Sequence, residues 1–466
     1  MNALQRDLKK LVPLVESLGA ETAASDPYRQ RFHIQPMVGW LNDPNGLCKI
    51  GDAYHAFFQY GPFDVTGGVK HWGHVVSRDL LHWEYRPVML YPDEPFDCHG
   101  AYSGSALVED GTMYLYYTGN VKFPGDYDYI RQGRGHNVCL AVSRDGEHID
   151  SKTCLMYNKD YPAGLTCHVR DPKVFAYEGR YYMVLGARTV DDRGEVLVFE
   201  STDRLHWSHI NTLTTPEPFG YMWECPDLFA LDGQWFLAVS PQGIACQNIY
   251  GCGYFPVCGD WRGDCTLGDF HHADFGFDYY APQSFVDGGT GRRLQIGWMG
   301  MPDADYGNPA TVAYGWQHCM TLPRVLTHDG QGHILQNPVP ELTACRGAAV
   351  ALPDGAEQAV DVCFDLTAAP AGDFSLAFDG GLTLAYADAD RTCCLIFTDD
   401  AMSGGRTSRY VKLDAPCRRL RVVGDASSLE IFLNDGAAVL STRYYPAGAP
   451  TLRAANLDAV VYPLNL

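Results

Sequence analysis

A glycine followed by an aromatic-rich apolar run occurs five times along this chain, and no other feature restricts its fold as much. The copies are GDAYHAFFQY from Gly51, GTMYLYYTG from Gly111, GRYYMVLGA from Gly179, GQWFLAVS from Gly233 and GRRLQIGWM from Gly291, with steps of 60, 68, 54 and 58 residues between the glycines. Another short apolar run precedes each copy, so each reads as a β-hairpin with the glycine in its turn. After the first three hairpins comes a similar outer segment: HVVSRDLLHW at 74–83, CLAVSRDGEHI at 139–149 and LVFESTDRLHW at 197–207. Several strands per copy, five copies and a period near 60 predict an all-β, five-bladed β-propeller, with four-stranded blades around a central channel.

The pattern changes near residue 335. The stretch HDGQGHILQNPVPELTACRG at 328–347 reads as a linker, and no tryptophan follows Trp316. Short alternating runs such as SLAFDGGLTLAYA and SLEIFLNDGAAVLSTRYY then point to a small β-sandwich. At the N-terminus, Leu4, Leu8, Leu11, Val15 and Leu18 recur at helical spacing and predict a short helix docked on the body. The expected organisation is an N-terminal helix at 1–27, a propeller at 28–335 and a β-sandwich at 336–466.

Composition excludes several function classes. The formal net charge is −21, from 56 acidic and 35 basic residues, which argues against a nucleic-acid partner, since phosphate backbones need clustered Lys and Arg. No run of 18 apolar residues exists to span a membrane, and LVPLV is too short for the core of a secretory signal. A cytoplasmic protein with a small-molecule ligand and reduced thiols is expected, despite 16 cysteines. The densest cysteine run, Cys246, Cys252, Cys258 and Cys265 with His271 and His272 beyond, lacks a CxxC pair, so no metal is expected there. His71 and His74 lie three apart on a strand and point to opposite faces, which favours packing over metal binding.

The polar clusters share one phase of the repeat. Asn42-Asp43-Pro44-Asn45 precedes Gly51, Ser103-Gly104-Ser105 precedes Gly111, Arg170-Asp171-Pro172 precedes Gly179, Trp223-Glu224-Cys225-Pro226-Asp227 precedes Gly233, and Asp278 to Gln283 precedes Gly291. Taken singly, each is ordinary turn or strand-edge chemistry. In a propeller, equivalent positions face one another across the axis, so Asp43, Asp171 and Glu224 should converge. Three carboxylates in one cleft repel, and a proton or Arg170 must offset part of the charge. Such a site suits glycoside cleavage, which needs a protonated acid and an ionised partner. Trp223, Cys225 and Pro226 are expected to give Glu224 weakly polar surroundings. Trp40, Trp72, Trp223 and Trp316 offer flat faces to sugar rings.

These residues resemble glycoside hydrolase family 32, the invertases, β-fructofuranosidases and sucrose-6-phosphate hydrolases. The motifs that carry the resemblance are WLNDPNG at 40–46, FQY at 58–60, WGH at 72–74, SGS at 103–105, VRDP at 169–172, MWECPD at 222–227, DFGFDYYAPQSF at 274–285, LPR at 322–324 and SLEIFLNDG at 428–436. The resemblance implies a retaining double displacement on β-fructofuranosides such as sucrose, sucrose 6-phosphate or short fructo-oligosaccharides. It implies Asp43 as nucleophile, Glu224 as acid and base, and Asp171 as transition-state stabiliser. Asn42, Gln59, Tyr102, Ser103 and Arg170 would hold the fructose, with Tyr280 and Trp316 as further contacts, and neither cofactor nor metal is implied. Some members carry a tryptophan where this chain has Gly67, so the sugar platform differs on that side. A fructosyltransferase of the same fold and a non-catalytic carbohydrate-binding propeller are the competing functions. A phosphorylated substrate would need cations at the funnel mouth, for which Lys70, Lys122, Arg131 and Arg134 are candidates. The loop at 122–137 either shapes that side or is a plain surface hairpin.

Overall fold

The five repeat glycines all lie in turns between the first two strands of a sheet, with positive φ of 56°, 74°, 76°, 88° and 74°. In the second to fourth copies the preceding residue, Asp110, Glu178 or Asp232, also has positive φ, as a tight two-residue hairpin turn requires. A computed structural model describes residues 2–466. Residues 39–338 form five blades of mainly antiparallel strands. Their inner strands are Gly39–Ile50, Ala101–Glu109, Leu165–Tyr177, Met222–Leu231 and Tyr280–Val286. Each inner strand contacts the next, and the fifth contacts the first, which closes the ring of the propeller.

The outer segments repeat at the atomic level. In the first three blades Asp79, Asp145 and Asp203 each accept backbone N–H groups of the following turn and the Nδ1 of His82, His148 or His206. The ring is closed by a segment inserted in the fifth blade. Trp316–Gln317 pairs in parallel with Gly39 and Trp40 of the first blade, while Cys319–Met320 pairs with Trp298 and Met299 of the fifth.

The stretch expected as a linker contains the outermost strand of blade five, Ile334–Pro338, which pairs with Arg324–His328. The propeller therefore extends past residue 335, because this strand completes the blade's hydrogen-bond ladder. Two six-stranded sheets follow and form the sandwich. In strand Ser428–Leu433 every residue is buried. Leu429, Ile431 and Leu433 fill the sandwich core, while Glu430 and Phe432 face the propeller, as the period of two requires. Backbones touch closely here: a Cβ on Gly276 would sit 2.1 Å from the carbonyl oxygen of Ser441.

The N-terminal helix runs Ala3–Ala24. It docks through Leu8, Val12, Val15 and Ala23, and Glu16 accepts a hydrogen bond from Tyr60. Leu4, Leu11 and Leu18 of the predicted stripe are instead exposed, as is Leu14. The docked face is displaced around the helix to where Gly19 lets the backbone approach Val38. Among the described residues no helix is long and apolar enough to cross a membrane. The sixteen cysteines are free.

Candidate active site

Every inner strand carries a register irregularity at its polar cluster. These fall at Asn42–Asp43, at Ser103, between Arg170 and Lys173, at Cys225–Pro226 and at Ala281–Pro282. A bulge inserts an unpaired residue and re-aims the side chains beside it. In four blades a proline sits at this place, Pro44, Pro172, Pro226 and Pro282, where no ladder donor is needed. Asp171, Cys225 and Ala281 take positive φ of 65°, 47° and 46° at matching positions. The bulges turn the first residues of the strands toward the axis.

They converge on a cleft of about 480 Å³ that Asp43, Asp171 and Glu224 line. Asp43 accepts hydrogen bonds from Ser103 Oγ at 2.6 Å, Gln59 Nε2 at 2.9 Å and Asn42 Nδ2 at 3.2 Å. Glu224 is held by Arg170, by Gln242 Nε2 at 2.8 Å and by the Tyr280 hydroxyl at 2.6 Å. Asp171 accepts the backbone N–H of Cys225 at 2.9 Å, with the Arg170 guanidinium 3.8 Å away. The Cys225 thiol lies 3.6 Å from Asp171 and 3.7 Å from Asp43, and burial together with those charges keeps it protonated.

One guanidinium thus serves two of the three carboxylates, and among the described residues Asp43 has no ion pair. Burial raises the pKa of Asp43, opposed by the Ser103 hydrogen bond and reinforced by the charge of Glu224. Burial also pushes Asp171 up to about 7, even with Arg170 pulling it down. The cleft is therefore a place where protons are shared at neutral pH, as acid–base chemistry needs. Among the described residues no three His, Cys, Asp or Glu side chains group so as to hold a metal ion.

Two family descriptions match the chain: the N-terminal domain of glycosyl hydrolases family 32 over residues 33–338 and the C-terminal domain of that family over 356–460. The chain belongs to glycosyl hydrolase family 32. A sucrose-6-phosphate hydrolase of Bacillus subtilis is 40% identical over 91% of this chain and 90% of its own length. One from Klebsiella pneumoniae is 39% identical over 92% and 91%. Among solved structures, the sucrose-6-phosphate hydrolase of Lactobacillus gasseri superposes with a TM-score of 0.88 at 28% identity, covering 97% of this chain and 96% of that one. A Bombyx mori β-fructofuranosidase mutant in complex with sucrose gives 0.85 at 28% identity, with 98% of both chains covered. As a family 32 member the chain is a fructose-releasing glycoside hydrolase, and these likenesses favour neither the transferase nor the binding-only reading.

Of the site residues named from the family 32 resemblance and the tryptophan pattern, Trp40, Asn42, Gln59, Tyr102, Arg170 and Tyr280 line the cleft with the three carboxylates. Ser103 lies just behind, bonded to Asp43. Three of the four tryptophans do not reach it. Trp72 is fully buried, packs on Phe57 and Tyr117, and donates to the Tyr102 carbonyl at 3.0 Å. Trp316 is fully buried in the ring closure, donating to Asp26 at 2.7 Å under the Arg29 guanidinium. Both point into packed layers away from the cleft. Trp223 also turns away, donating to the Phe219 carbonyl at 2.6 Å, so Glu224 meets polar partners rather than indole.

Of the four cations proposed for the mouth, Lys70 and Arg134 line the cleft. Lys122 stands over Tyr129 outside it, and Arg131 pairs with Asp192 at 3.3 Å. The loop at 122–137 does shape the mouth, because it packs on blade three through Ile130 and delivers Arg134 and His136. Gln242, His136 and Trp298 line the cleft without having been singled out from sequence. Gln242 carried a legible mark: it ends the strand opposite Glu224, where the repeat already placed a site.

Proposed function

We propose that this family 32 enzyme hydrolyses sucrose 6-phosphate to fructose and glucose 6-phosphate by double displacement, with plain sucrose a poorer substrate. The Asp43 carboxylate attacks the anomeric carbon of the fructosyl unit and forms an ester to it. The bond to the glucosyl oxygen breaks as that oxygen takes the electron pair and the proton of Glu224. Glu224 then removes a proton from water, which attacks the same carbon and releases fructose, restoring Asp43. Asp171 accepts hydrogen bonds from fructosyl hydroxyls and offsets positive charge that develops on the ring.

The observation that carries the reading is the hydrogen-bond asymmetry of the cleft. Asp43 accepts only from neutral groups that aim it, whereas Glu224 sits against Arg170, Gln242 and Tyr280. The two are thereby aimed into one cleft from different blades by separate sets of donors, which provides the pair of carboxylates that glycoside cleavage needs. That the bacterial relatives are sucrose-6-phosphate hydrolases supports the phosphorylated sugar. We place the enzyme in the cytoplasm, where its free thiols stay reduced.

The test is fructose release from sucrose and from sucrose 6-phosphate, side by side, with Asp43→Asn as the blank. A kcat/KM for the phosphorylated sugar at least about tenfold higher, absent in the blank, is expected. Equal or better cleavage of plain sucrose overturns the substrate assignment. Residual activity in Asp43→Asn equal to that of the parent overturns the nucleophile.

A further inference from the structure

We propose that the second-blade rim of the cleft, formed by Arg134, His136 and the Tyr102 hydroxyl, is an anion subsite that takes the phosphate monoester on the leaving sugar. The inference rests on the phosphorylated-substrate reading above and names the residues that would enforce it.

The first observation is an uncompensated guanidinium. Arg134 opens the third strand of blade two, and its Nε is buried without a partner. Among the described residues its one side chain within hydrogen-bond distance is His168, whose Nε2 is 3.3 Å from Nη1. That contact cannot be a good hydrogen bond. His168 Nδ1 lies 2.7 Å from Arg170 Nη1 and must accept from it. Its Nε2 therefore carries the hydrogen and donates it to the Tyr129 carbonyl at 3.2 Å. Burial and then the charges of Arg170 and Arg134 drive the His168 pKa down to about 2, so it stays neutral and offers Arg134 nothing. Among the described residues no carboxylate pairs with Arg134, whereas Arg170 is already engaged by Glu224.

The second observation is independent. His136 is 1% exposed, lines the cleft, and has no partner for either ring nitrogen. A neutral imidazole always carries one N–H donor, and a buried donor left unmet costs free energy. The Tyr102 ring stands 6.0 Å from the His136 ring, and its hydroxyl makes no hydrogen bond to another described residue. An open guanidinium edge, an imidazole N–H and a phenol on one wall match the oxygens of a phosphate monoester.

Charge supplies the reason such a wall is needed. The chain carries −21 and the cleft three carboxylates, so a phosphorylated sugar approaches against repulsion. Lys70 also lines the cleft, 4.8 Å over the Trp40 ring; burial pulls its pKa down to about 7, and an arriving phosphate would favour its charged form. The Gly67 position leaves that side of the cleft open: a Cβ there would lie 3.8 Å from the Lys70 ammonium.

The experiment measures kcat and KM on sucrose 6-phosphate and on sucrose for the parent, Arg134→Gln, His136→Gln and Arg131→Gln. Inhibition of sucrose cleavage by glucose 6-phosphate and by glucose is measured on each. In Arg134→Gln, KM for the phosphorylated sugar and the inhibition constant of glucose 6-phosphate are expected to rise roughly 10- to 100-fold. That loss should exceed the loss on sucrose by at least about tenfold, with His136→Gln smaller in the same direction and Arg131→Gln showing no preference change. If the parent prefers the phosphorylated sugar but Arg134→Gln keeps the same preference, the subsite is wrong and the substrate reading stands. Equal losses on both sugars likewise overturn the subsite. If the parent shows no preference at all, the substrate reading fails and the subsite with it.

Discussion

Two places in this molecule each bury three carboxylates. One is the cleft of Asp43, Asp171 and Glu224, where Arg170 pairs with Glu224 and Asp171 and, among the described residues, Asp43 has no ion pair. The other is the seam between propeller and sandwich, where Asp274, Asp425 and Glu430 meet two cations, His33 and Arg324. At the seam every carboxylate is saturated. Asp425 accepts from the backbone of Arg31 and Phe32 and from His33 Nδ1 at 2.8 Å. Glu430 accepts from His33 Nε2 at 3.0 Å, from Leu322 N at 2.8 Å and from Arg324 Nη2 at 2.6 Å. Asp274 accepts from Ser441 Oγ and N and from Gly276 N. Burial alone would lower the pKa of His33, but the hydrogen bonds to Asp425 and Glu430 raise it to about 9, so it stays charged at neutral pH. Burial works against all three acids as well, yet Asp425 is held below its ordinary pKa by His33, and Glu430 by Arg324 and His33, while burial outweighs Arg324 at Asp274 and pushes it up to about 6. In the cleft neither Asp43 nor Asp171 is held down in this way, and both are raised. The same residue types make a joint where cations hold two of three carboxylates ionised, and, in the cleft, the proton-sharing setting proposed above for the chemistry.

The comparison breaks most visibly at Glu224. Glu224→Gln removes the proposed proton donor and should lower kcat on sucrose 6-phosphate by about 10⁴-fold, measured as fructose release. The loss should be much smaller on a fructoside whose leaving group needs no proton. Equal losses on the two substrates would remove Glu224 from the acid role. At the seam, Glu430→Gln leaves His33 and Arg324 short of an anion and should cost about 3–5 kcal/mol in denaturant unfolding. The folded fraction should keep its kcat, and a kcat loss matching the catalytic variants would mean the two clusters are not separable.

Asp171→Asn sharpens the contrast through its sign. The folded pKa of Asp171, about 7, lies above its unfolded value, so its contribution to stability is complete below the ordinary aspartate range and is lost as pH rises through 7. Replacing it should stabilise the fold by about 2 kcal/mol at pH 8 and by little at pH 4, while activity falls. Thermal unfolding at the two pH values checks this, and a destabilised variant at pH 8 would show that the cleft is as balanced as the seam.

Much of this was legible because it is local and periodic. The repeat glycines mark hairpin turns that need positive φ, and five of them fixed the blade count. Asp43, Asp171 and Glu224 were found because they share one phase of that repeat, and Pro44, Pro172 and Pro226, each seven residues before a repeat glycine, mark the bulges that aim them. Other features depended on partners far along the chain. The LPR and SLEIFLNDG motifs looked like family marks, yet their Arg324 and Glu430 are the seam's ion pair, 106 residues apart. Trp72 and Trp316 looked like sugar platforms because tryptophan near a site is ambiguous until its face is known.

By itself the sequence determined five hairpin-led blades, a β-sandwich behind them, and three carboxylates at equivalent positions. Those follow from turn conformation and from the period of two along a strand, which act over a few residues. The tertiary structure decided which tryptophans line the cleft, which carboxylates find cations, and which cations stay unpaired at the mouth. Each of these depends on how blades close into a ring and on the seam with the sandwich. Burial and charge balance are properties of the groups brought together there, not of the residues that bear them.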